Sequence, residues 1–225
     1  MKTFRITLTI LLLNLFSNVF SQQVIDLTDI FEGSLVNIEI KQENKKIDGT
    51  PYFNKEWEKG TVKFLNGNEY RVKFFKYDVN LERLLFLKDD VTYYIPNKGE
   101  IEKFTIGTSN FVYIKYDDKN IKAFFEVLSN GEKIKLLKKY KCVYVEGKKG
   151  DGIAPAINDK YSINKSYYIK IANEPAIKFK VKKDDVLQLM SDNKELVEEY
   201  IKKNKLKFKN ENDLAKIFDF YSTHY

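Results

Sequence analysis

From residue 36 onward the chain repeatedly alternates apolar and polar side chains over stretches of about four to eight residues. That period of two constrains the fold more than any other feature, because it commits the chain to half-buried strands. Val36, Ile38 and Ile40 alternate with Asn37, Glu39 and Lys41. Val62 and Phe64 run into Asn66-Gly67-Asn68, and Tyr70, Val72 and Phe74 leave it on one face, which predicts a hairpin about the Asn-Gly pair. Leu84 to Leu87, Tyr93 to Ile95, Phe104 to Ile106 and Phe111 to Tyr116 continue the series, with Asp89-Asp90 and Asp117-Asp118 as turn signals. Ile121, Ala123, Phe125 and Val127 form another strand, which Asn130-Gly131 turns into Ile134 to Leu137 and then Tyr140 to Val145.

The period changes near the C-terminus. Leu196, Val197, Tyr200 and Ile201 form one helical stripe, and Leu214, Ile217, Phe218 and Tyr221 form another. Asp192 stands three residues before Glu195, a capping-box pattern, and Asn210 is placed to cap the last helix. Asp184-Asp185 suits the acidic first turn of a helix. The expected fold class is therefore α+β: mainly antiparallel β, as a meander, roll or sandwich, followed by a C-terminal helical segment. The expected organisation is a leader over 1–21, a β domain over 22–146, a loop or hinge over 147–166, a hairpin over 167–181 and helices over 182–225. The loop assignment rests on the three glycines and the proline of Gly147 to Asp159.

The leader follows from Lys2 and Arg5 ahead of the apolar run Ile6 to Phe16, with Val19 and Ser21 before a cut near Gln22. The apolar run is shorter than the roughly 20 residues that span a bilayer, so the mature chain is expected to carry no transmembrane helix. Export to the periplasm, to the outer-membrane surface or outside the cell is expected. Cys142, the single cysteine, precludes an intramolecular disulfide and is expected to serve as a small buried hydrophobe. Removing Lys2 and Arg5 from the 39 basic residues leaves 37 against 32 acidic ones, a mild excess. Arginine occurs only at Arg5, Arg71 and Arg83. A lysine-dominated surface suits solvation better than bidentate phosphate recognition, so no nucleic-acid partner is expected.

Most catalytic constellations lack their parts. His224, the only histidine, lies at the very end of the chain, which leaves no base for a serine or cysteine triad. Zinc sites want several His or Cys ligands, and the chain has one of each, so no metal or cofactor is expected. Ser162-x-x-Lys165 and Ser191-x-x-Lys194 match an acyl-transfer spacing but lack its companion motifs. Paired carboxylates remain an alternative, as a glycan-acting hydrolase, and the strand count leaves a small outer-membrane barrel as another.

One stretch stands apart. Between Gly49 and Gly60 the chain places Pro51, Tyr52, Phe53 and Trp57, the sole tryptophan, in a polar run. As a lead-in to the strand beginning near Val62, its aromatics would tuck under the sheet. As a recognition loop, Tyr52, Phe53 and Trp57 would offer stacking faces to a sugar or an aromatic side chain. The motifs Gly49-x-Pro51-Tyr52-Phe53, Gly60-Thr-Val62, Lys76-Tyr77-Asp78 with Glu82-x-Leu84, Phe124-Phe125-Glu126-Val-Leu, Leu136-Leu137-Lys-Lys-Tyr140 and Ile201-Lys-Lys-Asn-Lys205 resemble a widespread group of secreted proteins from Bacteroidota. The resemblance covers nearly the whole mature chain and implies export, but it carries no reaction and no catalytic residue. The expected function is that of an exported, non-enzymatic β-rich protein that binds another envelope component, a protein or a glycan.

Overall fold

A computed structural model describes residues 36–37, 47–117, 121–150 and 155–224. The expected leader over 1–21 and the continuation of the first strand through Ile40 lie outside these residues.

The described strands are β1 (Val36–Asn37), β2 (Ile47–Asp48), β3 (Glu58–Phe64), β4 (Glu69–Asp78), β5 (Arg83–Lys88), β6 (Val91–Tyr94), β7 (Ile101–Ile106), β8 (Ser109–Tyr116), β9 (Ile121–Val127), β10 (Ile134–Val145), β11 (Asp159–Ile171) and β12 (Ile177–Phe179). They form one sheet in the order β1-β6-β5-β4-β3-β7-β8-β9-β10-β11-β12, with β2 added parallel to β11. Every other strand pairing is antiparallel, and the path has two ends rather than closing on itself. Three helices follow: α1 (Lys183–Leu189), α2 (Lys194–Asn204) and α3 (Glu211–Thr223). The fold is thus α+β, with the helices of the described residues collected at the C-terminal end.

The turn chemistry sets the hairpins. Gly67 takes φ 90° in the β3–β4 turn, and Asp89 and Asp90 take φ 49° and 60° between Lys88 and Val91. Two positive φ values in a two-residue loop match the right-handed twist of the strands they join, and short acidic side chains tolerate that region. Asn210 caps α3 as its position suggested, its side chain accepting from the Asp213 N–H at 3.0 Å. Asp192 does not act as the cap of α2. That helix begins after Asn193, and Asp192 lies in a 3-10 turn where its carboxylate accepts from the Tyr221 hydroxyl, tying α3 to the start of α2.

The core face of the sheet is aromatic. Phe75, Tyr77, Phe104, Phe111 and Phe124 are buried together, with Phe104 stacked on Phe111 at 4.6 Å and Phe124 edge-on to Phe104 at 5.0 Å. Such geometry adds to plain burial because ring edges meet ring faces. A second core joins Ile134, Leu136 and Ile169 of β10 and β11 to Val186, Leu187, Val197, Leu214, Ile217, Phe218 and Tyr221 of the helices. The α3 members recur at helical spacing, and each such side chain contributes about 1.5–3 kcal/mol on burial. A smaller cluster, including Phe125, Leu137, Tyr168 and Ala176, covers the opposite face of β9–β11.

Three strands differ from expectation. On β4 the simple alternation Tyr70, Val72, Phe74 breaks. Gly60 pairs with Val72 and Glu58 with Phe75, so Lys73 and Phe74 together oppose Lys59 in a β-bulge. Phe74 is 40% exposed, while Phe75 is fully buried in its place. On β10 the pair Lys138-Lys139, which separates two apolar runs, does not interrupt the strand, because Lys138 finds buried partners. β11 likewise begins at Asp159, well inside the segment expected as a hinge, and pairs with β10 from Ile134↔Ile171 to Val145↔Lys160.

The bulge makes a sharp prediction about two adjacent phenylalanines. Phe75→Ala should cost about 3–5 kcal/mol in urea denaturation, whereas Phe74→Ala should stay within about 0.5 kcal/mol of the parent. Equal losses, or the reverse order, would restore the unbulged alternation.

Candidate binding site

The 51–54 segment continues the line of β3 along the far end of β4. The Phe53 N–H donates to the Tyr77 carbonyl and the Val79 N–H to the Pro51 carbonyl, both at 2.9 Å. Buried Asn54 fixes the bend that follows, donating to the Glu56 and Phe75 carbonyls at 2.7 and 3.1 Å. The three aromatic residues singled out by the sequence therefore part company. Phe53 goes under the sheet, edge-on to Phe111 at 5.0 Å and to Tyr140 at 5.1 Å, and packing occupies its ring. Tyr52 and Trp57 stay half-buried on the other side and meet around Lys76, whose Nζ lies 5.0 and 4.9 Å from their ring centroids. Burial pulls the Lys76 pKa down, an effect that the Glu56 charge partly opposes. The aromatic slot is thus filled by the chain's own cation.

The bulge that exposes Phe74 also decides where the cations of β4 lie. In an unbroken strand Arg71 and Lys73 would face one way and Lys76 the other. The extra residue shifts the parity, so Arg71, Lys73 and Lys76 all leave the face opposite the aromatic core. Next to Lys76 the outer face of β3, β4, β5 and β7 sinks into a trough of about 690 Å³, lined by Lys59, Arg71, Lys73, Leu87, Thr61 and Thr105 among others. No carboxylate is among the lining residues, although that of Glu58 lies against the rim at Gly107. The two threonines are cross-linked, with Oγ1 atoms 3.0 Å apart and the Thr61 N–H donating to Thr105 Oγ1 at 3.0 Å. Beneath the trough Gly60 leaves no room for a Cβ, which would lie 2.1 Å from the Thr105 carbonyl oxygen and 2.6 Å from Phe75 Cδ1 on the core side.

The acidic groups that are buried lie elsewhere. Asp78 is raised in pKa by burial, although the Leu81 and Asn80 N–H groups that it accepts from in a turn work against the rise. Glu126 of β9 and Glu211 of α3 converge on Lys138, whose Nζ lies 2.7 Å from Glu126 Oε2 and 2.6 Å from Glu211 Oε1. The Lys138 side chain is 4% exposed, that of Glu126 10% and that of Glu211 35%. Tyr140 and Ser109 donate to Glu126 at 2.6 and 2.7 Å, and Tyr167 donates to Glu211 at 2.8 Å. Burial and the bond to Glu211 push the Tyr167 hydroxyl up to about 12. Burial resists ionisation of Glu211, but the Lys138 and Tyr167 bonds outweigh it and hold that carboxyl below its usual range. Only Glu211 of this cluster is partly exposed, its charges are matched internally, and its chemistry is that of a joint between sheet and tail.

Cys142 is only partly buried, packed against the aromatic core, and burial raises its thiol pKa, followed by the Asp78 charge. A raised pKa keeps it protonated and unreactive near neutrality. Among the described residues there is no group of three or more His, Cys, Asp or Glu side chains placed to hold a metal ion, and no helix is long and apolar enough to cross a membrane. No protein-family model, curated protein or solved structure matches this chain.

The joint is open to test. Removing one partner from a buried ion pair leaves the other uncompensated, so Lys138→Met should cost about 3–5 kcal/mol, and adding Glu126→Leu should recover part of it. A single variant as stable as the parent would contradict the burial of charge there. The Glu211 pKa is depressed on folding, so its contribution is present above the ordinary carboxylate range and lost as pH falls through the folded value. Urea midpoints should therefore drop below about pH 4, less steeply in Glu211→Gln.

Proposed function

We propose that this chain is an exported, non-enzymatic binding protein that holds another component of the cell envelope through the trough on the outer face of β3, β4, β5 and β7. The single observation that carries the reading is the charge of that concavity: Lys59, Arg71 and Lys73 line it with no carboxylate among them. Two lysines on neighbouring strands and turns are instead matched by acids, Lys63 by Glu102 and Lys98 by Glu82. Concave sites with a few convergent polar groups are where ligands bind by default. One-signed charge in such a site raises the encounter rate with an oppositely charged partner. The leader-like N-terminus supports export, and an envelope offers anionic partners in abundance.

Tyr52, Phe53 and Trp57 take different parts in this proposal. Phe53 anchors the strap, while Tyr52 and Trp57 hold Lys76 at the end of the row that Arg71 and Lys73 begin. They shape the site's border rather than stacking on the ligand.

The test is retention of the purified mature protein by isolated envelope fractions at low and at physiological salt. Arg71→Glu/Lys73→Glu, whose side chains are exposed, should fold normally by circular dichroism yet lose about tenfold or more in retention, and added salt should weaken the parent likewise. Equal retention of parent and variant would remove the trough from the account.

A further inference from the structure

We infer that the partner of the trough is an extended, acidic polypeptide segment whose carboxylates fall at alternate residues. This rests on the proposal that the trough is the binding site, and it narrows the kind of ligand.

The spacing of the cations suits an extended chain. Arg71 and Lys73 are two residues apart on one strand and on one face, with Arg71 paired to Thr61 and Val72 to Gly60 before the bulge begins. Strands rise about 3.2–3.4 Å per residue, so their backbone origins lie about 6.5–7 Å apart. An extended peptide laid along β4 presents its residues i and i+2 on one face at the same rise. Carboxylates at alternate positions meet Arg71 and Lys73 in register, and the bulge sets Lys59 opposite Lys73 as a third cation. Acids in adjacent positions point to opposite faces of an extended chain, so half of them miss.

Side-chain chemistry narrows it further. Arg71 is one of three arginines in a chain with 39 basic residues. Arg83 stacks on Tyr94, its guanidinium carbon 4.6 Å from the ring centroid, so it has a structural post. Arg71 pairs with none of the described carboxylates, which leaves its planar fork free for a bidentate carboxylate from outside. The remaining lining suits a peptide's intervening residues: Leu87 is apolar and Thr61 and Thr105 carry hydroxyls. Sugar rings would want an open aromatic face in the trough; Phe86, the aromatic residue in the lining, is 2% exposed, and the exposed ring of Phe74 already carries Lys73 Nζ at 5.1 Å. At about 690 Å³ the trough is also far larger than one carboxylate or phosphate fills.

The experiment titrates the full mature chain into fluorescein-labelled decapeptides of one composition, with four Glu placed either at every second residue or at every third, so that successive acids share one face or fall on opposite faces. An alginate oligomer and phosphatidylglycerol vesicles serve as the other arms. The peptide with Glu at every second residue should bind at least tenfold tighter than the other, and Arg71→Gln should abolish that preference. Equal binding of the two peptides, or tighter binding of alginate or vesicles, would overturn the peptide inference. If the charge-reversed double variant still lost envelope retention, the trough would stand as a site for another ligand; if it did not, both readings would fall together.

Discussion

A lysine in the middle of a strand holds this molecule's two halves together. Lys138 lies on the core face of β10, between Ile134 and Leu136, which pack on the helices, and Tyr140 and Cys142, which pack on the aromatic core. A cation there survives only because Glu126 reaches it from β9 and Glu211 from α3, with three hydroxyls satisfying the remaining carboxylate lone pairs. Well-packed apolar side chains would serve stability as well or better. The charged joint marks the docking register of α3, with Glu211 over Lys138. The β9–β10 turn confirms that register from another side, with the Asn130 N–H donating to the Asp219 carboxylate and Gly131 leaving no room for a Cβ beside Ser222.

The same strands that make the joint leave the opposite end of the sheet with one open face. β9 and β10 pair only at Val127↔Leu137 and Glu126↔Lys138, after which β10 departs with β11. The long β10–β11 hairpin therefore carries the helices on one half and helps close the aromatic core with the other. Strands β3 to β5 and β7 are left with one face packed and the other in solvent. On that outer face the β4 bulge does two things with one inserted residue: it delivers Phe75 to the core, and it gathers Arg71, Lys73 and Lys76 on the side where the trough lies.

Much of this was legible in the sequence. Gly67 and Asp89-Asp90 take the positive φ that their turns need, and Asn210 caps its helix. The α+β class followed from a change in hydrophobic period, which burial imposes locally. What alternation could not reveal was where it is broken. A bulge leaves no composition signal at Lys73-Phe74, since either of two adjacent phenylalanines could face the core. Lys138 was equally hidden, because a buried lysine depends on an acid 73 residues away in Glu211, and no local pattern encodes that meeting. Asp192 failed as a cap for a related reason: the Tyr221 hydroxyl of α3 competes for its carboxylate. The aromatic strap was visible as a unit, but its division into a buried Phe53 and an outward Tyr52–Trp57 pair required the path of β4. The scarcity of arginine was the one available pointer to Arg71.

Whether sheet and tail are one cooperative body is the central claim, and native-state amide hydrogen exchange tests it most directly. The account predicts that the amides of α3 and of β10 around Lys138 exchange at a common slow rate set by global unfolding. Exchange of α3 far faster than β10, in the unmodified protein near neutral pH, would contradict it.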